Sequence, residues 1–247
     1  MTLARQRSSG LAPGAGPTLR LVPDLTLLDR RTPAIAVLTL NHPEHRNALS
    51  VAMRDEISDH LGQLSADDEL KVVIIANAGP VFCAGFDLRE FERAELEPGF
   101  ARSMWASSDR YHHTVATFPM VTIAALGGPA IAGGFDLAIL SDLRVAATTT
   151  TFSHPEYAFG DVVYGPLRDL VGGSLARDLC LTGRVLTASD ALAANLVTAV
   201  VEPAEVLAHA LALADRIAIA PRDALRRTKA KALDRSGIVR ASGTLDL

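Results

Sequence analysis

Two glycine-bearing segments carry the residue types best suited to chemistry: Phe82-Cys83-Ala84-Gly85-Phe86-Asp87-Leu88 and Gly127-Gly128-Pro129-Ala130-Ile131-Ala132-Gly133-Gly134-Phe135-Asp136-Leu137. Each follows an apolar run, Val72-Val73-Ile74-Ile75-Ala76 and Val121-Thr122-Ile123-Ala124-Ala125-Leu126. Each reads as a buried strand that breaks at glycine and small residues and then starts a helix. A helix start leaves backbone N–H groups without acceptors. Two such groups aimed at one carbonyl oxygen make an oxyanion hole, which stabilises negative charge as it develops on that oxygen. Gly127-Gly128 has no G-x-G-x-x-G pattern around it, which argues against a dinucleotide site.

The elements that must position these segments follow from pattern. Residues 19–28 and 34–40 are β-rich and read as a hairpin around Asp29-Arg30-Arg31-Thr32-Pro33. Asn41-His42-Pro43-Glu44 is a turn, since Pro43 fixes its own φ and restricts His42. Ser50 is a good N-cap for a helix over 51–64, and Asp87 for one from 88 to about 95 that breaks near Pro98-Gly99. Helices are expected over 102–117, 133–141, 167–181 with Gly183 as its stop, 189–194, 205–218 and 221–233. Short strands are expected at 143–147 and 199–201, and 152–156 is extended before a loop. Strand–strand–helix units that recur in this way argue for an α/β fold with both sheet faces covered.

At 247 residues and 49% hydrophobic content, the chain can bury a large core as one domain, or as a core with a small appendage. A net charge of −4 gives no support for a nucleic-acid or anionic-membrane partner, although basic residues gather locally at Arg226, Arg227, Lys229 and Lys231. No apolar run reaches membrane-spanning length. Residues 1–18, rich in Arg, Ser, Gly and Pro, lack the apolar centre of a secretory signal and are expected to form a flexible leader on a cytoplasmic protein. Cys83 and Cys180 read as buried free thiols. No Cys/His group has zinc spacing, so no metal is expected.

Six ordered motifs resemble the crotonase superfamily (enoyl-CoA hydratase/isomerase). They are Leu40-Asn41-His42-Pro43-Glu44-His45-Arg46-Asn47-Ala48-Leu49-Ser50, the two glycine segments, Ser141-Asp142-Leu143-Arg144-Val145-Ala146, His154-Pro155-Glu156 and Leu181-Thr182-Gly183. The similarity runs from about residue 21 to 203. It implies a spiral (superhelix) of ββα turns over 19–203 carrying the CoA and acyl site. It further implies C-terminal helices over 204–247 that serve assembly or act as a lid, shortened relative to the family. A homotrimer or a dimer of trimers is implied, as is an acyl-CoA substrate. No separate cofactor is implied, coenzyme A being part of the substrate.

By the same resemblance the thioester oxygen is held by the main-chain N–H groups of Phe86 and Gly133. Asp136 and Glu156 occupy the places of the two carboxylates of hydratase-type members, with Glu156 the principal proton-transfer group and Asp136 its partner. Two carboxylates facing one cavity push their proton affinities apart and give an acid and a base. Arg46, Ala48, Ala84 and Arg89 match positions near CoA, and Asp161 and Tyr164 are candidates for the acyl pocket. His112 and His113 read as packed or solvated, and His154 could hydrogen-bond Glu156.

Three departures matter. The hydratase pattern has Glu where this chain has Asp136, which is about 1.5 Å shorter in reach. The loop Gly160-Asp161-Val162-Val163-Tyr164-Gly165-Pro166 replaces one that normally shapes the acyl pocket. The chain also ends early by the family pattern. The leading expectation is hydration of a 2-enoyl-CoA. The alternatives are a double-bond isomerase acting on enoyl- or dienoyl-CoA, and an acyl-CoA-binding member with reduced chemistry.

Overall fold

The computed structural model describes residues 24–236; the expected leader and the end of the tail lie outside them. The chain begins as an antiparallel pair, β1 (Thr26–Thr32) and β2 (Ile35–Leu40). It continues through α1 (Val51–Ser65), β3 (Val72–Asn77), α2 (Leu88–Leu96), α3 (Pro98–Thr117), β4 (Val121–Leu126) and β5 (Ala130–Ile131). Then come α4 (Gly133–Leu140), β6 (Leu143–Ala147), β7 (Thr151–Ser153), a 3₁₀ turn (Pro155–Ala158) and α5 (Gly165–Thr182). The described part ends with β8 (Leu186–Thr187), α6 (Ala188–Ala193), β9 (Ala199–Val201), α7 (Val206–Ala218) and α8 (Arg222–Ser236).

The main sheet has the order β1-β2-β3-β4-β6-β9 and is parallel from β2 onward. Its strands β2, β3, β4 and β6 are buried on both faces, and their side chains alternate between two cores. Ile35, Val37, Val72, Ile74, Ile123, Ala125 and Val145 face α7, whose Val206, Ala210, Leu213 and Ala214 form one apolar stripe at helical spacing. Ala36, Leu38, Val73, Ile75, Ala124 and Ala146 face the larger core, which holds Met53, Ile57 and Leu61 of α1 and Tyr111 and Val115 of α3.

A second, thinner layer lies over the first. Leu49 bridges Phe86, Cys83 bridges Ala130, β5 pairs with β7, and β7 with β8. Each turn of the chain therefore gives a long strand to the main sheet, a short segment to the second layer, and then a helix. This is the ββα spiral, and every short segment ends where a helix begins.

The sequence expectations hold for most elements and fail at three places. β1 extends to Thr32, and the turn is Pro33-Ala34 instead of residues 29–33. β1 is an edge strand with its side chains mostly exposed, so Asp29, Arg30 and Arg31 lie in water without breaking it. β5 and β8, two residues each, are too short to show any periodicity. The helix expected at 167–181 is kinked at Gly172, whose φ of 79° and ψ of 160° are not helical. Gly183 ends it in the left-handed conformation, as expected.

Candidate active site

The two glycine segments run side by side in the second layer. The N–H groups of Phe82 and Cys83 donate to the Pro129 carbonyl at 3.0 and 3.3 Å, and that of Ile131 donates to the Cys83 carbonyl at 3.0 Å. Cys83 and Ala130 are the bridged pair, so three residues further along each segment stand Phe86 and Gly133. The residue before each of them has a positive φ: 84° at Gly85 and 51° at Ala132. That backbone reversal turns the next N–H out of the ladder. Ala132, a non-glycine residue in this region, carries strain of about 1–3 kcal/mol.

Gly133 opens α4, so its N–H has no acceptor within the helix. Among the described residues neither its N–H nor that of Phe86 is given to a backbone carbonyl. The close approach requires glycine at position 85, where a Cβ would lie 2.7 Å from the Ala132 Cβ and 3.0 Å from the Gly133 nitrogen. The Phe86 ring edges Gly133, at 3.3 Å from where a Cβ would be.

Two buried side chains that the motif reading gave no role brace this pair. Asn47, with φ 53°, accepts from His42 N–H and donates to the carbonyls of Ala78, Val81 and Phe82. It thereby locks the loop that leads to Gly85. Arg54 lies under the Phe86 ring with its guanidinium 4.5 Å from the centroid. It donates to the carbonyls of Leu49 and Met104 and to the Ser107 hydroxyl, and it pairs with Glu90 at 3.7 Å. The signal for Arg54 was present in the sequence: a charge on the apolar stripe of Met53, Ile57, Leu61 and Leu64.

Asp136 stands on the first turn of α4 and Glu156 in the 3₁₀ turn after β7. The structure brings them together around His154. His154 Nδ1 is 2.9 Å from Glu156 Oε1 and 3.9 Å from Asp136 Oδ1. One atom of each side chain lies within 4.8 Å of the others. This is the only grouping of three His, Cys, Asp or Glu side chains that tight among the described residues, and no zinc spacing in the sequence announces it. Within this trio, His154 and Glu156 share a hydrogen bond. Burial pushes Asp136 up to about 7; His154 opposes that shift and Glu156 adds to it. Burial alone would lower His154, but the bond to Glu156 and the two carboxylate charges leave it raised.

The other candidates fall as follows. Arg46 and Ala84 are adjacent, Ala84 N–H donating to the Arg46 carbonyl at 3.0 Å, and Ala48 precedes the bridged Leu49. Arg89 is exposed and folds back on Asp87 at 2.6 Å, so its charge is shared with the residue that caps α2. Tyr164 packs against the main core at the start of α5. Asp161 is exposed and is not a member of the tight trio. His112 is buried against Phe86 and Tyr111, and burial holds it down to about 4. His113 is exposed. Both thiols are free and buried.

Known proteins match this chain in sequence and in fold. The family model described as enoyl-CoA hydratase/isomerase matches residues 30–236. A putative enoyl-CoA hydratase of Thermus thermophilus is 39% identical over 201 residues, covering 79% of each chain. The short-chain-enoyl-CoA hydratase of Clostridium acetobutylicum is 31% identical over 74% of this chain and 71% of its own. The crystal structure of an enoyl-CoA hydratase from Bacillus anthracis superposes with a TM-score of 0.78 at 30% identity, covering 84% of this chain and 82% of the other. The chain belongs to the enoyl-CoA hydratase/isomerase family.

Proposed function

We propose that this protein adds water across the double bond of a 2-enoyl-CoA thioester. The thioester oxygen lies between the N–H groups of Phe86 and Gly133, which take up the negative charge of the enolate. Water adds its oxygen at the β-carbon and gives a proton to one carboxylate; the other carboxyl delivers a proton to the α-carbon, and no cofactor takes part. Asp136, with a proton affinity near neutrality, is suited to deliver that proton, and Glu156, already an acceptor for His154, is suited to receive the one from water.

One observation carries this reading: the carboxylate oxygens of Asp136 and Glu156 come within 4.8 Å of each other. A water hydrogen-bonded to both at ordinary lengths and a tetrahedral angle spans about 4.6 Å. The shorter Asp136 side chain therefore still lies within the reach of one water from Glu156. The family relatives named as hydratases support the same reading.

Incubation with crotonyl-CoA tests it by loss of the enoyl-thioester absorbance and appearance of 3-hydroxybutyryl-CoA. Glu156→Gln and Asp136→Asn are each expected to lower kcat by at least about 100-fold. Migration of the double bond in 3-enoyl- or dienoyl-CoA without hydration would replace the reading with the isomerase one. Tight acyl-CoA binding without any turnover would replace it with a binding role.

A further inference from the structure

We propose that His154 is the positioning residue of this site, its imidazole hydrogen-bonding the Glu156 carboxylate and setting its orientation toward Asp136. The inference deepens the hydratase reading and rests on it for its kinetic part. Three observations meet on the one ring.

The first is orientation. The His154 imidazole stacks on Phe135 at 4.6 Å with an interplanar angle of 29°, and Phe135 immediately precedes Asp136 on α4. The ring plane is therefore set by the element that carries the first carboxylate. The second is connection. Nδ1 is the ring atom that meets both carboxylates, at 2.9 and 3.9 Å. A carboxylate only accepts, so Nδ1 must carry the proton whenever Glu156 is ionised. The third is enclosure. The residue is 1% exposed, and Nε2 is buried with no hydrogen-bond partner. A buried histidine whose ring makes one hydrogen bond, to a reacting carboxylate, is held there by that bond.

The backbone supports the same placement. Ser153, the residue before His154, accepts from Ala132 N–H at 2.9 Å, so the histidine starts one rung from the Gly133 donor. The ionisable groups that face the trio are Asp136 from α4, Glu156 from the 3₁₀ turn and Cys180 from α5, with Cys83 and Tyr111 toward Asp136. Both cysteine thiols and the tyrosine hydroxyl are raised by burial and stay neutral at ordinary pH. The proton balance therefore rests on His154, Asp136 and Glu156.

Substitution separates a positioning role from simple packing. Asparagine places an amide N–H where Nδ1 stands, glutamine places it one atom further out, and leucine supplies none. With crotonyl-CoA, His154→Leu is expected to lower kcat about 100-fold and to change KM less than about threefold, with a displaced pH profile. His154→Asn should recover at least tenfold of that loss, and His154→Gln should not. A second readout needs no turnover: nitrogen NMR of histidine-labelled protein, with the His154 signals identified by their absence in His154→Asn. The ring should show a protonated Nδ1 and a titration above the ordinary histidine range, which falls in Glu156→Gln.

If His154 titrates independently of Glu156, or if folded His154→Leu keeps the wild-type kcat and pH profile, the proposal is overturned. Equal recovery by Asn and Gln would also overturn it. A coupled titration in a protein that hydrates no enoyl-CoA would keep the positioning role and remove the hydratase reading instead.

Discussion

Asp136 is a carboxyl group at 7% exposure whose proton affinity sits well above the ordinary carboxylate range. Between the unfolded value of 3.8 and the folded value of about 7, the native state binds a proton that the unfolded chain does not. The resulting contribution is intact below about pH 4 and is lost as pH rises, reaching a cost on the order of 4 kcal/mol above pH 7. Asp136→Asn removes this dependence. Its melting temperature should gain on wild type from pH 5 to pH 8, and parallel curves would contradict the burial argument. Gly85 carries a different requirement, because a Cβ there meets Ala132 in a backbone conformation with φ of 84°. Gly85→Ala is expected to lower kcat about 100-fold or more by displacing the Phe86 donor. Gly62→Ala, with nothing within 4 Å of the added atom, should be neutral or slightly stabilising in the same assay and in thermal melts. Position 85 could be read from sequence because a positive φ before a helix start selects glycine. Ala132 adopts the same kind of conformation without advertising it, since alanine carries no turn signal.

At the scale of elements, buried cations tie helices to the sheet layers. Arg54 of α1 joins Leu49, Met104 of α3 and Glu90 of α2 beneath the Phe86 ring. Arg54→Met leaves those acceptors unpaired and should cost about 3 kcal/mol in denaturant unfolding, with a loss of hydration rate that tracks Phe86. Lys229 of α8 donates to the Met120 carbonyl and to Asp142, at 2.8 and 2.7 Å, just before the starts of β4 and β6, and hydrogen-bonds no member of the trio. Lys229→Met should cost a similar 3 kcal/mol or so while kcat at 25 °C stays within about twofold. The two variants thus distinguish an anchor that bears on the site from one that bears on stability alone. α1, with its Ser50 cap and apolar stripe, and α7, with its apolar stripe, were legible in the sequence. β5 and β8 were not, and β7 only as an extended segment, because a two- or three-residue strand is defined by its neighbours across the ladder, and pairing partners 22 to 36 residues apart leave no local pattern.

Across the whole molecule, the spiral converts a linear order of motifs into adjacency. Phe86, Gly133 and His154 lie far apart in the chain but follow neighbouring segments of the second layer, at the point where each gives way to a helix. The fold class was legible because parallel strands buried on both faces read as continuous apolar runs. The pairing of the glycine segments was legible only through their shared form. The His154–Glu156 bond was within reach of a two-residue spacing, but its meeting with Asp136 belongs to the tertiary structure. Cys83 and Cys180 report on the integrity of this arrangement: both are buried, so a thiol reagent should modify them only in step with the loss of far-ultraviolet circular dichroism. Modification under native conditions would show that the cores open separately.

The proposed convergence of two backbone amides on one thioester oxygen is most directly tested by isotope-edited infrared spectroscopy of an enoyl-CoA labelled with carbon-13 at its carbonyl. Bound to the wild-type protein, the carbonyl stretch should move to lower frequency than in water, and Gly85→Ala should return it toward the free value. A bound ligand whose carbonyl frequency is unshifted in the wild type would contradict the account.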